Sequence, residues 1–346
     1  MDLKPLKLGM AYHGNRMPSH ARQDMQEMAR NGMDLVVHML SHNDWDRHKN
    51  VMRDIVAISQ DAGLEVWLDN WGLGGPPGDK SHFLSYYPES HMYYSDGKMV
   101  PTYVCLRSPD FMRFMKEWVD TVAWMGVKTI FWDEPHLPHR QENGRRYYGC
   151  ACPRCRRLFE EKYGRPMPKE LDAEAEAFAV DGLIEYFREI TTYSAEKGIT
   201  NTVCVMLGSF GMSLSAADKI CALPTISNIG SDPYWVGGET PAYEYVYRGT
   251  RENLALCERF QKDHNVWIQC YNNPRGKEEE IVEAAEAAYD AGARTIIGWS
   301  YRGAESNDYH AANPDVAWAR TMDAMRRVRE MERDRLLAVY REKYRK

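Results

Sequence analysis

The chain has 346 residues, a length at which one (β/α)8 barrel carrying insertions is as natural as two domains. Hydrophobic residues at 44% and charged residues at 27% supply material for a core and exclude a disordered or fibrous chain. Asp and Glu number 50 against 44 Lys and Arg, and the resulting net charge of -6 offers no basic footprint to a polyanion, which excludes nucleic acid as the expected partner.

The start, Met1 to Lys7, has no basic segment leading into an apolar run, and no window reaches the ~18 consecutive apolar residues of a membrane span. The expected location is cytoplasmic. A first strand is expected over Leu6 to Ala11. From there a helix, glycine, strand junction recurs at Asn31-Gly32-Met33-Asp34, Ala62-Gly63-Leu64-Glu65, Met125-Gly126-Val127-Lys128, Lys197-Gly198-Ile199-Thr200 and Ala291-Gly292-Ala293-Arg294. Glycine ends a helix because it takes the left-handed conformation without steric cost. The stretches that follow are short and apolar: Leu35 to Val37, Val66 to Leu68, Thr129 to Trp132 and Thr295 to Ile297. Strands covered on both faces read this way, so a parallel sheet is expected. Thr202 to Leu207, Ile226 to Ile229 and Val266 to Tyr271 bring the count to eight strands. Amphipathic segments lie between them at Asp44 to Asp61, Pro109 to Met125, Asp172 to Lys197, Pro241 to Asp263 and Lys277 to Ala291.

Eight strands alternating with helices predict an α/β fold, one (β/α)8 TIM barrel domain over residues 1–346, with an open doubly wound sheet as the alternative. Two connections break the rhythm, residues 71–108 after the third strand and 135–171 after the fourth. Long βα loops belong to the C-terminal face of a barrel, where active sites are assembled. Residues 316–346, including the charged stretch Val316 to Arg345, are expected to form a solvated closing helix rather than a basic recognition element.

Eight cysteines are too few for a disulfide scaffold, but Cys150, Cys152 and Cys155 are crowded as C-x-C-x-x-C. Three thiolates can share one tetrahedral ion, for which zinc is the natural candidate. The fourth ligand is sought among Cys105, His136 and His139, with Cys105 favoured because four-thiolate sites are common and it lies in the preceding insertion. A closed site leaves no position for substrate, so its expected role is structural: stapling two loops that have no core of their own. The competing reading is of free or buried thiols. Cys204, Cys221, Cys257 and Cys270 sit in apolar surroundings and read as core.

The last residues of each strand form the expected site lining. They are Tyr12 and His13; His38, Ser41 and His42; Asp69, Asn70 and Trp71; Asp133 and Glu134; Met206; Asp232, Tyr234 and Trp235; Gln269, Tyr271 and Asn272; and Trp299, Tyr301 and Arg302. Aromatic rings beside carboxylates and amides suit a sugar, whose C–H faces pack on indole or phenol while its hydroxyls need polar partners. Glu134 ends the fourth strand, where a general acid must stand to protonate a leaving glycosidic oxygen.

The run Phe131-Trp132-Asp133-Glu134, then Cys150-Ala151-Cys152-Pro153-Arg154-Cys155-Arg156-Arg157-Leu158-Phe159 with Tyr163-Gly164 behind, resembles the acid/base strand and zinc loop of glycoside hydrolase family 42 β-galactosidases and related barrel hydrolases. Upstream, Ser95-Asp96-Gly97-Lys98 leading to Cys105 and Ser108-Pro109 is similar to that family's stretch supplying the fourth thiolate. The resemblance spans about residues 90 to 165. It implies Glu134 as the acid/base and Cys105, Cys150, Cys152 and Cys155 as zinc ligands. The chain departs from the pattern twice. Asp133 stands where the family has asparagine, and Gln269-Cys270-Tyr271-Asn272-Asn273 carries no strand-7 glutamate nucleophile.

A two-carboxylate scheme therefore needs its second acid from elsewhere. Asp232 is preferred, ahead of Asp69 and Glu305, and a further pairing makes Asp133 the nucleophile with Asp232 as acid/base. The expected function is that of a glycoside hydrolase-like enzyme acting on a carbohydrate substrate, as a monomer or homo-oligomer. The alternatives are a non-catalytic carbohydrate-binding barrel, and a sugar isomerase or lyase whose His13, His38, Asp69, Glu134 and Asp232 ring a divalent metal.

Overall fold

The computed structural model describes residues 4–13, 15–71, 81–205 and 214–343. Its first elements are β1 (Lys7–Tyr12), α1 (Pro18–Arg30), β2 (Leu35–Met39), α2 (Lys49–Asp61) and β3 (Glu65–Asp69). Next come α3 (Phe83–Tyr86), β4 (His91–Tyr93), β5 (Met99–Val104), α4 (Pro109–Trp124), β6 (Thr129–Trp132), β7 (His139–Glu142) and β8 (Arg145–Tyr148). The chain continues through α5 (Pro153–Tyr163), α6 (Ala173–Glu196), β9 (Thr200–Cys204), α7 (Leu214–Cys221), β10 (Ile226–Ser231), α8 (Ala242–Phe260), β11 (Asp263–Gln269), α9 (Glu280–Ala291), β12 (Thr295–Trp299) and α10 (Pro314–Lys343).

Eight of these strands close a parallel barrel in the order β1-β12-β11-β10-β9-β6-β3-β2, so the expected fold class is the observed one. The glycines of the five junctions, Gly32, Gly63, Gly126, Gly198 and Gly292, all have positive φ, between 73° and 114°. Expected and observed element ends differ by a few residues, where the last turns lack full hydrogen bonding. Of the expected fifth strand, residues 206 and 207 lie outside the described residues, as does Met206 of the expected lining. Among the described residues no helix is long and apolar enough to cross a membrane.

The chain divides into two compact units. The first comprises Met1–His38, Arg53–Trp67 and Asn228–Lys346. In it β1 pairs with β12 from Lys7 opposite Thr295 and with β2 from Gly9 opposite Leu35, and β11 pairs with β12 from Val266 opposite Ile296. Leu8, Met10, Val266, Ile268, Ile296 and Ile297 are buried from these strands. Asn265, also buried, satisfies its amide by donating to Asn228 Oδ1 at 2.6 Å and accepting from Trp267 Nε1 at 2.8 Å. Gly230 is glycine for this reason, since a Cβ there would lie 2.3 Å from Asn265 Oδ1.

The second unit comprises Met39–Met52 and Leu68–Ser227. Here β6 pairs with β9 from Thr129 opposite Thr200. Trp132 packs its ring 5.9 Å from that of Trp118 and 6.0 Å from that of Phe187, and its Nε1 donates to Asn201 Oδ1 at 2.8 Å. The same oxygen accepts from Ser194 Oγ, while Nδ2 donates to Thr191 O and Thr225 O, so the buried amide uses its whole capacity. Trp132 is therefore spent on the helix layer.

The two insertions fold into hairpins. β4 and β5 pair antiparallel, as do β7 and β8 around the Asn143-Gly144 turn, whose residues both have positive φ as a two-residue hairpin demands. Tyr94 bridges to Gly149 between them. The expectation that these loops lack a core is corrected. Tyr148, Phe159, Met167, Ala175 and Phe178 bury a satellite core with Cys105, Cys152 and Cys155. Burying each such large apolar side chain contributes about 1.5–3 kcal/mol.

Candidate functional site

In the second unit the ends of β3 and β6, neighbours in the barrel order, carry Asp69, Asn70, Asp133 and Glu134. Asp69 is buried and its Oδ1 accepts the Trp71 N–H at 2.9 Å. Burial first, then the negative charge of Glu134, push its carboxyl up to about 7, against the pull of that one hydrogen bond. Asn70 donates its N–H to Phe131 O at 3.3 Å, and its Oδ1 accepts the Asp133 N–H at 3.0 Å, locking the two strand ends together. Glu134 and Asp133 are half-buried.

Glu134 has φ +31°, a left-handed value that costs a side-chain-bearing residue about 1–3 kcal/mol. Its carbonyl accepts His136 Nδ1 at 2.6 Å, and His136 Nε2 lies 2.8 Å from the Tyr103 hydroxyl. Six described non-glycine residues have positive φ. Asn143 belongs to the hairpin turn and Gln261 ends α8, but Glu134, Asn272, Arg302 and Ala304 all follow barrel strands. Such strain concentrates where function over-determines the backbone.

In the first unit, half-buried rings follow one another at the strand ends. His13 lies 4.8 Å from Trp299, Trp299 4.6 Å from Tyr271, and Tyr271 5.3 Å from Tyr234. Asp232 is half-buried, two residues before Tyr234, whose N–H donates to the Asp232 carbonyl at 2.7 Å. A cleft of about 420 Å³ is lined by residues including His13, Tyr301, Arg302 and the exposed Glu305.

Other residues expected in the lining are engaged within the fold. Tyr12 is 2% exposed and donates to Asp24 Oδ2 at 2.7 Å on α1, and burial raises its phenol. His38, 1% exposed, bonds Ser59 Oγ at 2.9 Å, and burial, then the charge of Arg16, push its imidazole down to about 3. Trp235 is buried and donates to Glu280 Oε2 at 2.9 Å. Gln269 accepts Val236 N–H at 3.1 Å and donates to Tyr271 O at 3.2 Å. Asn272 is exposed and donates its N–H to Tyr309 O at 2.9 Å. Tyr301 lies 2.6 Å from Glu27 Oε2 and 2.9 Å from Asp24 Oδ1, with Arg302 3.3 Å from Glu27 Oε2. Asp24 and Glu27 on α1 and Tyr103 on β5 carry no local pattern that marks them in sequence.

The Sγ atoms of Cys105, Cys150, Cys152 and Cys155 lie within 4.8 Å of one another, with Cys105 3.6 Å from both Cys152 and Cys155. The chain reaches this arrangement through backbone bonds: Cys105 N–H donates to Ser90 O at 2.7 Å and Ala151 N–H to Tyr93 O at 2.7 Å. Cys152 stands at the N-cap of α5 with Pro153 in its first turn. Burial pushes the Cys150 thiol up, while hydrogen bonding from Cys150 holds Cys105 down. Four soft donors at the ~3.8 Å separation of a tetrahedral thiolate site fit a zinc-like ion. Of the three fourth-ligand candidates the geometry selects Cys105. His136 is turned to Glu134 and Tyr103, and His139 pairs opposite Tyr148 in the hairpin.

No protein-family model matches the chain, and no curated protein matches it in sequence. Solved structures do match. The catalytic domain of a β-amylase from Paenibacillus polymyxa superposes with a TM-score of 0.62 at 8% identity, covering 92% of this chain and 98% of that one. An endo-β-1,4-mannanase from Thermotoga petrophila gives 0.59 at 9% identity, covering 94% and 77%. A D-psicose 3-epimerase from Clostridium cellulolyticum H10 gives 0.52 at 11% identity, covering 94% and 99%. At these identities the likeness is one of fold.

Proposed function

We propose that the chain is a carbohydrate-active enzyme of the glycoside hydrolase kind, cleaving a glycosidic bond with Glu134 and Asp69 as its carboxylate pair. One observation carries the proposal: the adjoining ends of β3 and β6 carry a buried Asp69 and a half-buried Glu134, and burial, then the charge of Glu134, push the Asp69 carboxyl up to about 7. A buried carboxyl that keeps its proton near neutral pH beside a second carboxylate is suited to acid/base chemistry. Glu134, the more exposed, relays the Asp69 proton to the leaving oxygen as the glycosidic bond breaks, and the water that adds to the sugar carbon gives up its proton to the pair. Asp69 thus takes the second-carboxylate role for which sequence favoured Asp232. The row His13, Trp299, Tyr271 and Tyr234 supports a sugar ligand, as do the glycosidases and sugar epimerases that share the fold. Cys105, Cys150, Cys152 and Cys155 would hold a structural zinc, which orders the insertions and takes no part in the chemistry.

The isomerase reading needs imidazoles and carboxylates around one divalent ion. Among the described residues the four cysteines form the one cluster of three or more such ligands, and His38 is committed to Ser59. Hydrolysis is preferred on that ground. The test is a screen of chromogenic aryl glycosides in both anomeric series with wild type, Glu134→Gln, Asp69→Asn and Asp232→Asn. Glu134→Gln is expected to lose about 10²–10⁴-fold in kcat and Asp232→Asn to stay near wild type. Wild-type binding without turnover, unchanged in Glu134→Gln, would instead identify a binding barrel. Activity lost to mild chelation and restored by Mg²⁺ or Mn²⁺ would identify the isomerase.

A further inference from the structure

We infer that His136 is a positioning residue, which holds the Glu134 main chain in the left-handed conformation that sets the direction of the Glu134 carboxylate. The inference rests on the reading of Glu134 as the proton-delivering group. A carbonyl oxygen only accepts, so the 2.6 Å contact between Glu134 O and His136 Nδ1 requires the hydrogen on Nδ1. In the neutral ring Nε2 is then an acceptor, and the Tyr103 hydroxyl at 2.8 Å donates to it. The tautomer and the tilt of the imidazole are both fixed.

The need for such a brace follows from the local sequence. Pro135 has no N–H, so the Glu134–Pro135 peptide brings no donor of its own to hold it, and the proline ring restricts the residue before it. Support comes from outside on both flanks. Asn70 Oδ1 takes the Asp133 N–H at 3.0 Å, and His136 takes the Glu134 carbonyl. Tyr103 stands on β5 two residues before Cys105, so the imidazole is referenced to the hairpin that leads into the thiol cluster. A carboxylate moved by about 1 Å loses roughly 10²-fold in rate while substrate affinity, set by other groups, is untouched.

The experiment compares His136→Asn, His136→Gln, His136→Ala and Tyr103→Phe with wild type and Glu134→Gln on the best substrate of the glycoside screen. Asparagine can place a donor near the Nδ1 position and glutamine near Nε2. The alanine and glutamine variants are expected to lose about 10–100-fold in kcat with KM within about threefold, and asparagine to recover to within about fivefold of wild type. Tyr103→Phe should fall between. Two-dimensional ¹H–¹⁵N spectra of the imidazoles in wild type should show His136 in the Nδ1–H form, a readout that needs no substrate. An Nε2–H form, equal losses in the asparagine and alanine variants, or a silent alanine variant beside an inactive Glu134→Gln would overturn the inference. Glu134→Gln at the wild-type rate would instead overturn the functional reading, leaving the spectra to decide the hydrogen bond. Should the alanine variant not fold, the asparagine and glutamine pair carries the comparison.

Discussion

Ionising a carboxyl out of contact with water costs free energy, and a second negative charge beside it adds to the cost. Asp69 meets both conditions, and if the pair works as proposed its proton is the one titrated in the working range. The kcat/KM of wild type should then fall as pH rises through about 7, where Asp69 loses its proton. In Asp69→Asn that alkaline limb should disappear from the pH–rate profile, which is the measurement that checks it. Aromatic residues divide in the same way by what they touch. Trp299, half-buried between His13 and Tyr271, offers a ring face open to a ligand: Trp299→Ala is expected to weaken carbohydrate binding about 10-fold or more by titration calorimetry, with little loss of stability. Trp235, buried and bonded to Glu280, should act through the fold, and Trp235→Ala is expected to cost about 3–5 kcal/mol in urea denaturation. Both lay in the expected lining, and residue type alone could not part them. Tyr12, the last residue of β1, reaches α1 while His13, just past the end of that strand, meets Trp299, and where each ring points is set by how the strand is paired and ended.

Elements end in this chain where the backbone needs a conformation that one residue type supplies. At Gly126, φ is +79° and nothing lies within 4 Å of an added Cβ, so Gly126→Ala should cost only the left-handed strain, about 1 kcal/mol. Gly230 is the opposite case, with room rather than φ at stake. Gly230→Ala drives a methyl into Asn265 and its hydrogen bonds, and a larger loss, about 2–4 kcal/mol, is expected by chemical denaturation. The cysteine loop is a third case. One zinc per chain is expected by metal analysis, and Cys105→Ser should lower that stoichiometry. Hydrogen exchange should then rise over β4, β5, β7, β8 and α5, with the barrel strands still protected. Crowded C-x-C-x-x-C is legible because its ligands are neighbours in sequence. Cys105, some forty-five residues upstream, could only be favoured over His136 and His139 until the hairpins brought its sulfur to the others.

Over the whole molecule three histidines and Asp69 pull stability in opposite directions with pH. His38, His42 and His264 are pushed down to about 3, 4 and 4, in each case chiefly by burial, so below pH 6.5 the unfolded chain binds more protons than the folded one. Stability is then lost as pH falls from 6.5 towards those values, at about 1.4 kcal/mol per unit for each group. His264 shows the structural cost directly, since its Nε2 accepts the Arg294 N–H at 2.8 Å and protonation would remove that acceptor. Asp69, raised instead, binds its proton in the folded state first, so it subtracts stability as pH rises from about 4 to 7. Three groups outweigh one. Denaturation midpoints of wild type should climb between pH 4.5 and 6.5, and Asp69→Asn should exceed wild type at pH 8 while matching it near pH 4.

What the chain's order of residues determined by itself was whatever depends on near neighbours. That covers the five glycine-ended helices, the apolar strands that follow them, the barrel they imply and the three crowded thiols. Each rests on backbone conformation or on ligands a few residues apart, and such constraints act before the chain is compact. The tertiary structure alone decided where the fourth sulfur lies, that the charge of Glu134 reaches Asp69, that hydrogen bonds run from Tyr103 through His136 to the Glu134 carbonyl, and which rings are core and which are open. All of these depend on distances through space between residues far apart in sequence, and closing the strands and hairpins upon one another is what sets those distances.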